Sequence, residues 1–579
     1  MEKHLYRLAF IVELIINGTF VVLYTALRWW KLPFGLTDEM VNNILNVGVY
    51  IVPFVLALVV IANYLNSEDL EYFIRKHVFS LMVVIPLFIS MGDVEFTLLL
   101  CAAHLISSIL SLYDSSEEDT EESFKEEEPQ SSKLFRGFSL SPAQLVLLSF
   151  SGVIFLGTFL LMLPFASTSG KSIPFIDSFF MATSATCVTG LSTLSLSDDL
   201  TFFGQAVILV LIQIGGLSIM TLYSSMAIML GRSMGMKDRV VLQDLLDVTS
   251  LEELFATIIN IIRYTFFIEL WGGIVLTIGF IFEGFEFGKA LYYGFFHSVS
   301  AFCNAGFSLF NTSLESYDTN FMITGTIMVL ITTGGIGFIV LKELIEVFSK
   351  QKKIKNLGLH SKVVLITSFL LTAIGGIFFF YSEYLNALDK YTFWEKVSVS
   401  LFQSVTLRTA GFNTLDLGSL QSYTIVMMCV FMFVGASPGS TGGGIKTTTL
   451  AILAQSIMST LKGRKKVIML DRRIPEPIVV RTTAITFISI IIAAVFVLVM
   501  MRLEPNQSFL TIFFEVISAT GTVGLSLGIT PDMGWAGKMA ISVAMFIGRI
   551  GPLTMVLAIG QRQAELGKYE YPEGKMLIG

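Results

Sequence analysis

The feature that most constrains this chain is a segment that occurs four times. "FFMATSATCVTGLS", "FFHSVSAFCNAGFS", "LFQSVTLRTAGFN" and "FFEVISATGTVGLS" carry glycines at matching places: Gly190, Gly306, Gly411 and Gly524. They recur at a spacing of about 110 residues, the mark of an internally repeated architecture. In three copies a serine stands six residues before the glycine (Ser184, Ser300 and Ser518), and the third copy is one residue shorter between its Phe and its Gly. Each copy follows one apolar stretch and precedes another. The unit therefore reads as helix, short re-entrant segment, helix, four times over.

The solvent for such a chain follows from its composition. Of 579 residues 54% are hydrophobic and only 14% charged, with a mean hydropathy of +0.74. A soluble protein carries roughly 25% charged residues, and several windows here exceed the ~18 apolar residues that mark a spanning helix. The expected fold is an all-α polytopic membrane protein: four tandem helix–pore loop–helix units around a pseudo-fourfold central pore, plus an N-terminal helical membrane extension. The net charge of −7 implies no acidic or basic partner and no nucleic acid, because much of the acid lies in one run, "DSSEEDTEESFKEEE". Cys101, Cys187, Cys303 and Cys429 form no CxxC pair and read as unpaired thiols without a metal. The N-terminal apolar run is long and lacks a small-residue cleavage site, so it reads as a spanning helix rather than a cleaved signal.

Residues 1–112 are read as about four spans (near 8–28, 43–64 and two short ones in 78–112). An acidic, serine-rich linker follows at 113–138, too poor in apolar residues to fold. The pore units are placed at 139–235, 250–350, 360–460 and 478–562, with a tail at 563–579. The inter-unit connections "GRSMGMKDR", "SKQKKIKNLGLHSK" and "LKGRKKVIMLDRR" are rich in Lys and Arg, which puts them, the linker and the tail in the cytoplasm. The glycine segments then enter from the opposite face.

A segment that enters and leaves a bilayer on one side buries non-helical backbone, tolerated only in packed protein or along a wet path. Glycine opens backbone angles closed to other residues. Carbonyls of Cys187, Val188, Thr189 and Gly190, of Asn304, Ala305 and Gly306, of Thr409, Ala410 and Gly411, and of Thr522, Val523 and Gly524 could thus face one axis. Four such turns would replace the hydration shell of a monovalent cation. One copy alone is ordinarily mere small-residue helix packing; four copies in the same place of four repeats argue otherwise.

"VGASPGSTGGGIKTTT" looks at first like a phosphate-binding loop. Counting from Gly439 the pattern G-x-x-x-x-G-K-[ST] fails, because Ile445 separates Gly444 from Lys446, and the preceding "QSYTIVMMCVFMFV" reads as a span rather than a strand. Pro438 and the glycines instead predict a span from about 422 to 459 that unwinds near 435–444. Free backbone groups there put the loop on a wet path. Ser440 and Thr441 are candidate polar contacts, and Lys446 either faces water or snorkels. Arg549 lies about ten apolar residues from either end of its span, a depth at which charges face a cavity or a partner. Glu515 and His297 stand just before two glycine segments, as supports of those segments or as surface at the mouth.

"QIGGLSIMT", "SVTLRTAGFNT", "GSTGGGIKTTT" and "FIGRIGPLT" resemble the superfamily of potassium transporters that includes TrkH, KtrB and the plant HKT proteins, over roughly 140–579. The last of these motifs and "YPEGKMLIG" are closer to the KtrB pattern. The resemblance implies potassium uptake through a filter holding the four glycines, with K⁺ as the transported ion, Na⁺ as a possible second ion and no organic cofactor in the chain. It implies a gate at Gly435, Ser437, Pro438, Gly439, Ser440, Thr441, Gly442, Gly443 and Gly444, with Arg549 as a barrier or a latch onto that loop's carbonyls. It further implies a homodimer in the plasma membrane and a cytosolic nucleotide-binding subunit, a KtrA-like ring. The first ~130 residues depart from the family pattern; they hold no row of spaced arginines and read as a docking or regulatory module. The rival readings are a Na⁺-coupled secondary transporter of another small solute and an intramembrane enzyme. No HExxH, GxSxG or phosphorylated-Asp motif supports the second, so no enzyme is expected.

Overall fold

The computed structural model describes residues 2–24, 26–27, 38–65, 94, 97–98, 100–101, 105, 142–217, 251–349, 353–464 and 466–551. The acidic linker, most of 78–112, the first basic connection and the C-terminal tail lie outside the described residues. The chain forms two compact units, Met1–Ser139 and Leu140–Gly579.

In the N-terminal unit, helices Glu2–Tyr24 and Asp38–Leu65 pack together. Gly48 is what lets them approach, since a Cβ there would lie 2.7 Å from the Phe20 ring. Phe20, Leu45, Val49 and Leu56 are buried, whereas Val22, Phe54 and Leu58 are exposed, as on a lipid-facing surface.

The larger unit repeats one plan. Its first helices are Pro142–Leu161, Leu251–Phe282, Leu359–Glu383 and Glu476–Leu503. The short helices are Phe175–Thr186, Phe287–Phe302, Phe393–Thr406 and Phe509–Gly521. The last helices begin at Phe202, Phe321, Ser422 and Trp535. Local sequence sets the boundaries. Asn320 accepts from the amides of Met322 and Ile323, Ser508 from Thr511, and Thr392 with Glu395 forms a capping box, each satisfying N–H groups that a helix start leaves free.

Four helices of the described residues are long and apolar enough to span a bilayer (Met40–Val59, Ile259–Phe282, Leu359–Glu383 and Glu476–Leu503). Phe267 and Leu498, about 70% exposed, would be unusual on a soluble surface and are suited to lipid. The chain is a multi-pass membrane protein.

The units follow one another in a closed cycle. Phe202–Leu217 packs on Phe287–Phe302, Phe321–Gly335 on Phe393–Thr406, Ser422–Phe433 on Phe509–Gly521, and Trp535–Ile550 returns to Phe175–Thr186. At that closure Lys538 Nζ pairs with Asp177 Oδ1 at 2.8 Å, both largely withdrawn from solvent. Glycines in the last helices make room for this packing. Gly215, Gly334 and Gly548 lie directly against the carbonyls of Thr186, Phe302 and Thr520, leaving no space for a side chain.

Among the described residues, two last helices are interrupted. In unit 3 the helix stops at Phe433 and resumes at Thr447, with 434–446 non-helical between them. In unit 2 helices Phe321–Gly335 and Phe338–Phe348 meet at 111°. The sequence reading placed a break only in unit 3. The second arises at Gly337, whose φ of +94° turns the chain in a way a non-glycine residue resists.

Candidate functional site

Each short helix ends in the same backbone figure. Val188, Asn304, Thr409 and Thr522, two residues before the glycines, have φ of 56°, 59°, 63° and 52°, and Gly190, Gly306, Gly411 and Gly524 are also at positive φ. In units 1, 2 and 4 the intervening residue donates its amide back to the helix: Thr189 to Ser184 O at 2.8 Å, Ala305 to Ser300 O at 2.7 Å and Val523 to Ser518 O at 2.8 Å. This is a helix-ending turn that ordinarily takes glycine at its left-handed position. Valine, asparagine and threonine there cost roughly 1–2 kcal/mol apiece, and strain of that kind persists where surrounding structure requires the side chain.

The serines ahead of the glycines hold the turn from behind. Ser184 Oγ and Ser518 Oγ accept from the amides of Gly190 and Gly524, 3.1 Å each, and Ser300 Oγ donates to Phe307 O at 2.8 Å. In the shortened third copy Thr406, five residues before Gly411, takes the place of the serine and donates to Phe412 O at 2.7 Å.

The four glycines meet in a ring. A Cβ on Gly306 would lie 2.7 Å from Ala410 O, and a Cβ on Gly190, Gly411 or Gly524 would press still closer on Ala305 O, Val523 O or Thr189 O respectively. Every glycine thus abuts the carbonyl just before the glycine of the next unit, and unit 4 closes on unit 1. No other residue fits at these four points, because the obstructing atom is backbone. Eight of the residues that the sequence proposes for the turns meet in this ring: the four glycines and Thr189, Ala305, Ala410 and Val523.

The 434–446 loop lies where the short helices stop. Gly442 abuts Thr409 and Gly443 abuts Thr522, the strained residues of units 3 and 4. Thr441 Oγ1 donates to Phe302 O at 3.1 Å, at the end of the unit 2 short helix. Within the loop, Gly435 N donates to Ile445 O at 2.8 Å and Ser440 Oγ to Ser437 O at 2.6 Å, and Ser437 Oγ is hydrogen-bonded to Thr447 Oγ1 of the following helix at 2.8 Å. Gly444, at φ +67°, lies beside Gly521 O.

The loop also docks on the bend of unit 2. Ser437 N donates to Gly335 O at 3.0 Å, Thr441 N to Gly334 O at 3.3 Å, and Phe338 N to Gly439 O at 2.9 Å. Pro438 O sits against Gly337, leaving no room for a Cβ. Two broken helices therefore satisfy one another's backbone, which a membrane interior demands.

Two cations hold the loop. Arg549 donates through Nη1 to Thr441 O and through Nη2 to Gly215 O, linking units 3, 1 and 4. Lys446 turns back on the loop and donates to Gly442 O at 2.8 Å. The sequence leaves it facing water or snorkelling; the structure gives it a third place, as a cap on its own loop. His297 and Glu515 are fully buried, so the mouth-surface alternative does not hold for them.

Arg408 went unread in the sequence although it stands inside "LRTAG". It is 5% exposed and donates to Ser368 Oγ at 3.1 Å and Thr372 Oγ1 at 3.2 Å, tying the end of the unit 3 short helix to that unit's first helix. The segments leaving the glycines interlock in turn. Asn311 bonds Ser195, Ser197 and Asp198, and Asn413 donates to Glu315 at 3.0 Å. Partial burial, with Asp416 nearby, raises the Glu315 carboxyl above the usual range.

A ring of four strained, carbonyl-bearing turns inside a bundle of spanning helices, with a broken helix docked at its base, defines a cation-translocating membrane protein. The TrkH family model, described as cation transport protein, matches residues 139–566, and the chain belongs to that family. It is 38% identical over 454 residues to the Ktr system potassium uptake protein B of Bacillus subtilis (78% of this chain, 99% of that one). It is 37% identical to the potassium/sodium uptake protein NtpJ of Enterococcus hirae (76% and 98%). The crystal structure of the potassium transporter TrkH from Vibrio parahaemolyticus shares the fold, with a TM-score of 0.59 at 17% identity, covering 88% of this chain and 97% of that one. The chain is a multi-pass plasma-membrane protein.

Proposed function

We propose that this chain is the pore-forming subunit of a Ktr/Trk-type potassium uptake system and that the four glycine turns are its selectivity filter. The observation that carries the reading is the closed ring of backbone contacts, glycine against carbonyl, around all four units. Paired left-handed residues at fixed positions alternate the direction of successive carbonyls, and rings of carbonyl oxygens can stand in for the water around a dehydrated K⁺. No resident metal site is needed for this, since the cation is cargo; its ligands are the carbonyls of the turns.

The loop from Gly435 to Gly444 acts in this reading as the gate, held closed by Arg549 and by the unit 2 bend. Arg549 adds a positive charge on the ion path below the turns, a barrier to cations until the loop moves. The Bacillus relative is named as part of a Ktr system, which supports a regulatory partner; in this reading that partner is a cytosolic nucleotide-binding ring acting on a homodimer. The Enterococcus relative is named for both potassium and sodium, which supports a second reading in which Na⁺ shares the path.

The test is uptake of radioactive Rb⁺ into proteoliposomes holding an outward K⁺ gradient. Accumulation of Rb⁺ that external K⁺ suppresses far more strongly than Na⁺ supports a K⁺ path; equal suppression supports the shared path. Absence of Rb⁺ uptake by folded protein would overturn both.

A further inference from the structure

Behind each glycine turn, the short helix sends one buried side chain forward to the segment that leaves the turn. Met181 Sδ lies 3.4 Å from Ser192 Oγ, whose proton goes to Leu194 O. His297 Nε2 and Ser308 Oγ are 3.0 Å apart, and Gln403 Nε2 donates to Thr414 Oγ1 at 3.2 Å. Glu515 accepts from Ser526 Oγ at 2.8 Å and also from Thr530 Oγ1. The four helix residues stand nine positions before their glycines, or eight in the shortened third copy, and all four are fully buried. Each bond closes a loop of chain around one turn, so its length fixes how far the outgoing segment stands from the helix.

The four braces are not equal. A thioether is a weak acceptor, whereas a carboxyl group offers two acceptor oxygens and the strongest bonds of the set. Unit 4 also has the greatest need. Asn311 joins the outgoing segments of units 1 and 2, and Asn413 joins units 2 and 3. Among the described residues no hydrogen bond ties 525–531 to a neighbouring unit. Its hold comes from within: Thr530 Oγ1, whose proton goes to Glu515, lies 3.0 Å from Ser526 Oγ, and Gly528 N donates to Ser526 Oγ at 3.0 Å. Gly524 is moreover the glycine whose Cα closes the ring against Thr189 O.

We infer that Glu515 is a positioning residue for ion selectivity: through Ser526 and Thr530 it sets where the carbonyls beside Gly524 stand, and hence how well the ring fits K⁺ rather than Na⁺. The inference rests on the filter reading above. The carboxyl touches no ion; it acts through the two hydroxyls.

The experiment is Rb⁺ uptake with Na⁺ competition in proteoliposomes of the full chain, for Glu515→Leu, Glu515→Gln, the double change Ser526→Ala with Thr530→Val, and Gly524→Ser. Glu515→Leu should lower the K⁺ over Na⁺ preference about tenfold, the scale of losing one net hydrogen bond. Maximal flux should stay within about twofold, since the gate is untouched. The double change should reproduce that loss, and Glu515→Gln, which keeps an acceptor oxygen, should recover most of it. If Glu515→Leu does not assemble, Ser526→Ala reads the same link with a smaller loss. Preference lost in Gly524→Ser but intact in Glu515→Leu overturns the brace and leaves the filter standing. Preference intact in both overturns the filter itself. A loss in Glu515→Leu that the double change does not share overturns the route through the hydroxyls.

Discussion

The last helices of units 2 and 3 carry similar glycine signals and break in different ways. "TTGGIGF" bends at one residue, Gly337, and the helix resumes at once at 111°. "VGASPGSTGGGIK" opens into a stretch from Val434 to Lys446 that returns on itself through the Gly435 N to Ile445 O bond. The difference lies in proline and in how many consecutive residues lack a supporting side chain. One glycine with a free neighbour re-nucleates a helix; Pro438 with five glycines around it does not. The two breaks also complement each other. The bend exposes the carbonyls of Gly334 and Gly335 and the amide of Phe338, and these are the groups that the loop's Thr441, Ser437 and Gly439 use. A gate in a bilayer needs free backbone to move, and free backbone needs partners while it is at rest.

That pairing can be broken from several sides. Deleting 437–443 removes the loop and leaves the bend, and should raise Rb⁺ flux the most, about tenfold or more, if the loop is a gate; unaltered or lower flux in folded protein counts against it. Arg549→Gln keeps a donor toward Thr441 O but removes the charge and the second link to Gly215 O. It should raise flux by about threefold to tenfold, an energy on the order of 1 kcal/mol. Gly337→Ala keeps the loop intact and strains the bend, at roughly 1–3 kcal/mol for the backbone angle, while its methyl presses on Pro438 O. A lower melting temperature together with a leak about twofold to threefold above the parent is expected. Ser440→Ala should do least, since that hydroxyl bonds only within the loop, to Ser437 O; a large flux change there would mean that the loop's internal fold, rather than its docking, sets the gate.

Much of this was legible because membrane proteins restrict what glycine and proline can mean. Four glycines in the same place of four repeats mark the turns, and Pro438 marks the loop, since each changes the local backbone by itself. What escaped the sequence depends on partners far away in the chain. Arg549 could be seen to need acceptors, but one of its two is a backbone carbonyl of Gly215, which carries no sequence signal. Gly334–Gly335 close a helix, but the bend that follows them is set at Gly337, two residues further on. The braces were hidden by the missing residue of the third copy, which shifts Gln403 and Thr414 out of line with the other three. Arg408 was visible as a charge but not as a link, since Ser368 and Thr372 stand on another helix.

The central claim is that the four glycine turns choose the ion, and Gly411→Ser addresses it most directly. A side chain at Gly411 has no space because its Cα faces Val523 O and the neighbouring glycines, and its φ of +77° disfavours any other residue. Competition of K⁺ and Na⁺ for Rb⁺ uptake in reconstituted vesicles should show the K⁺ preference falling about tenfold or more. An unchanged preference, in protein that is folded and still conducts, would remove Gly411 from the filter and contradict the account.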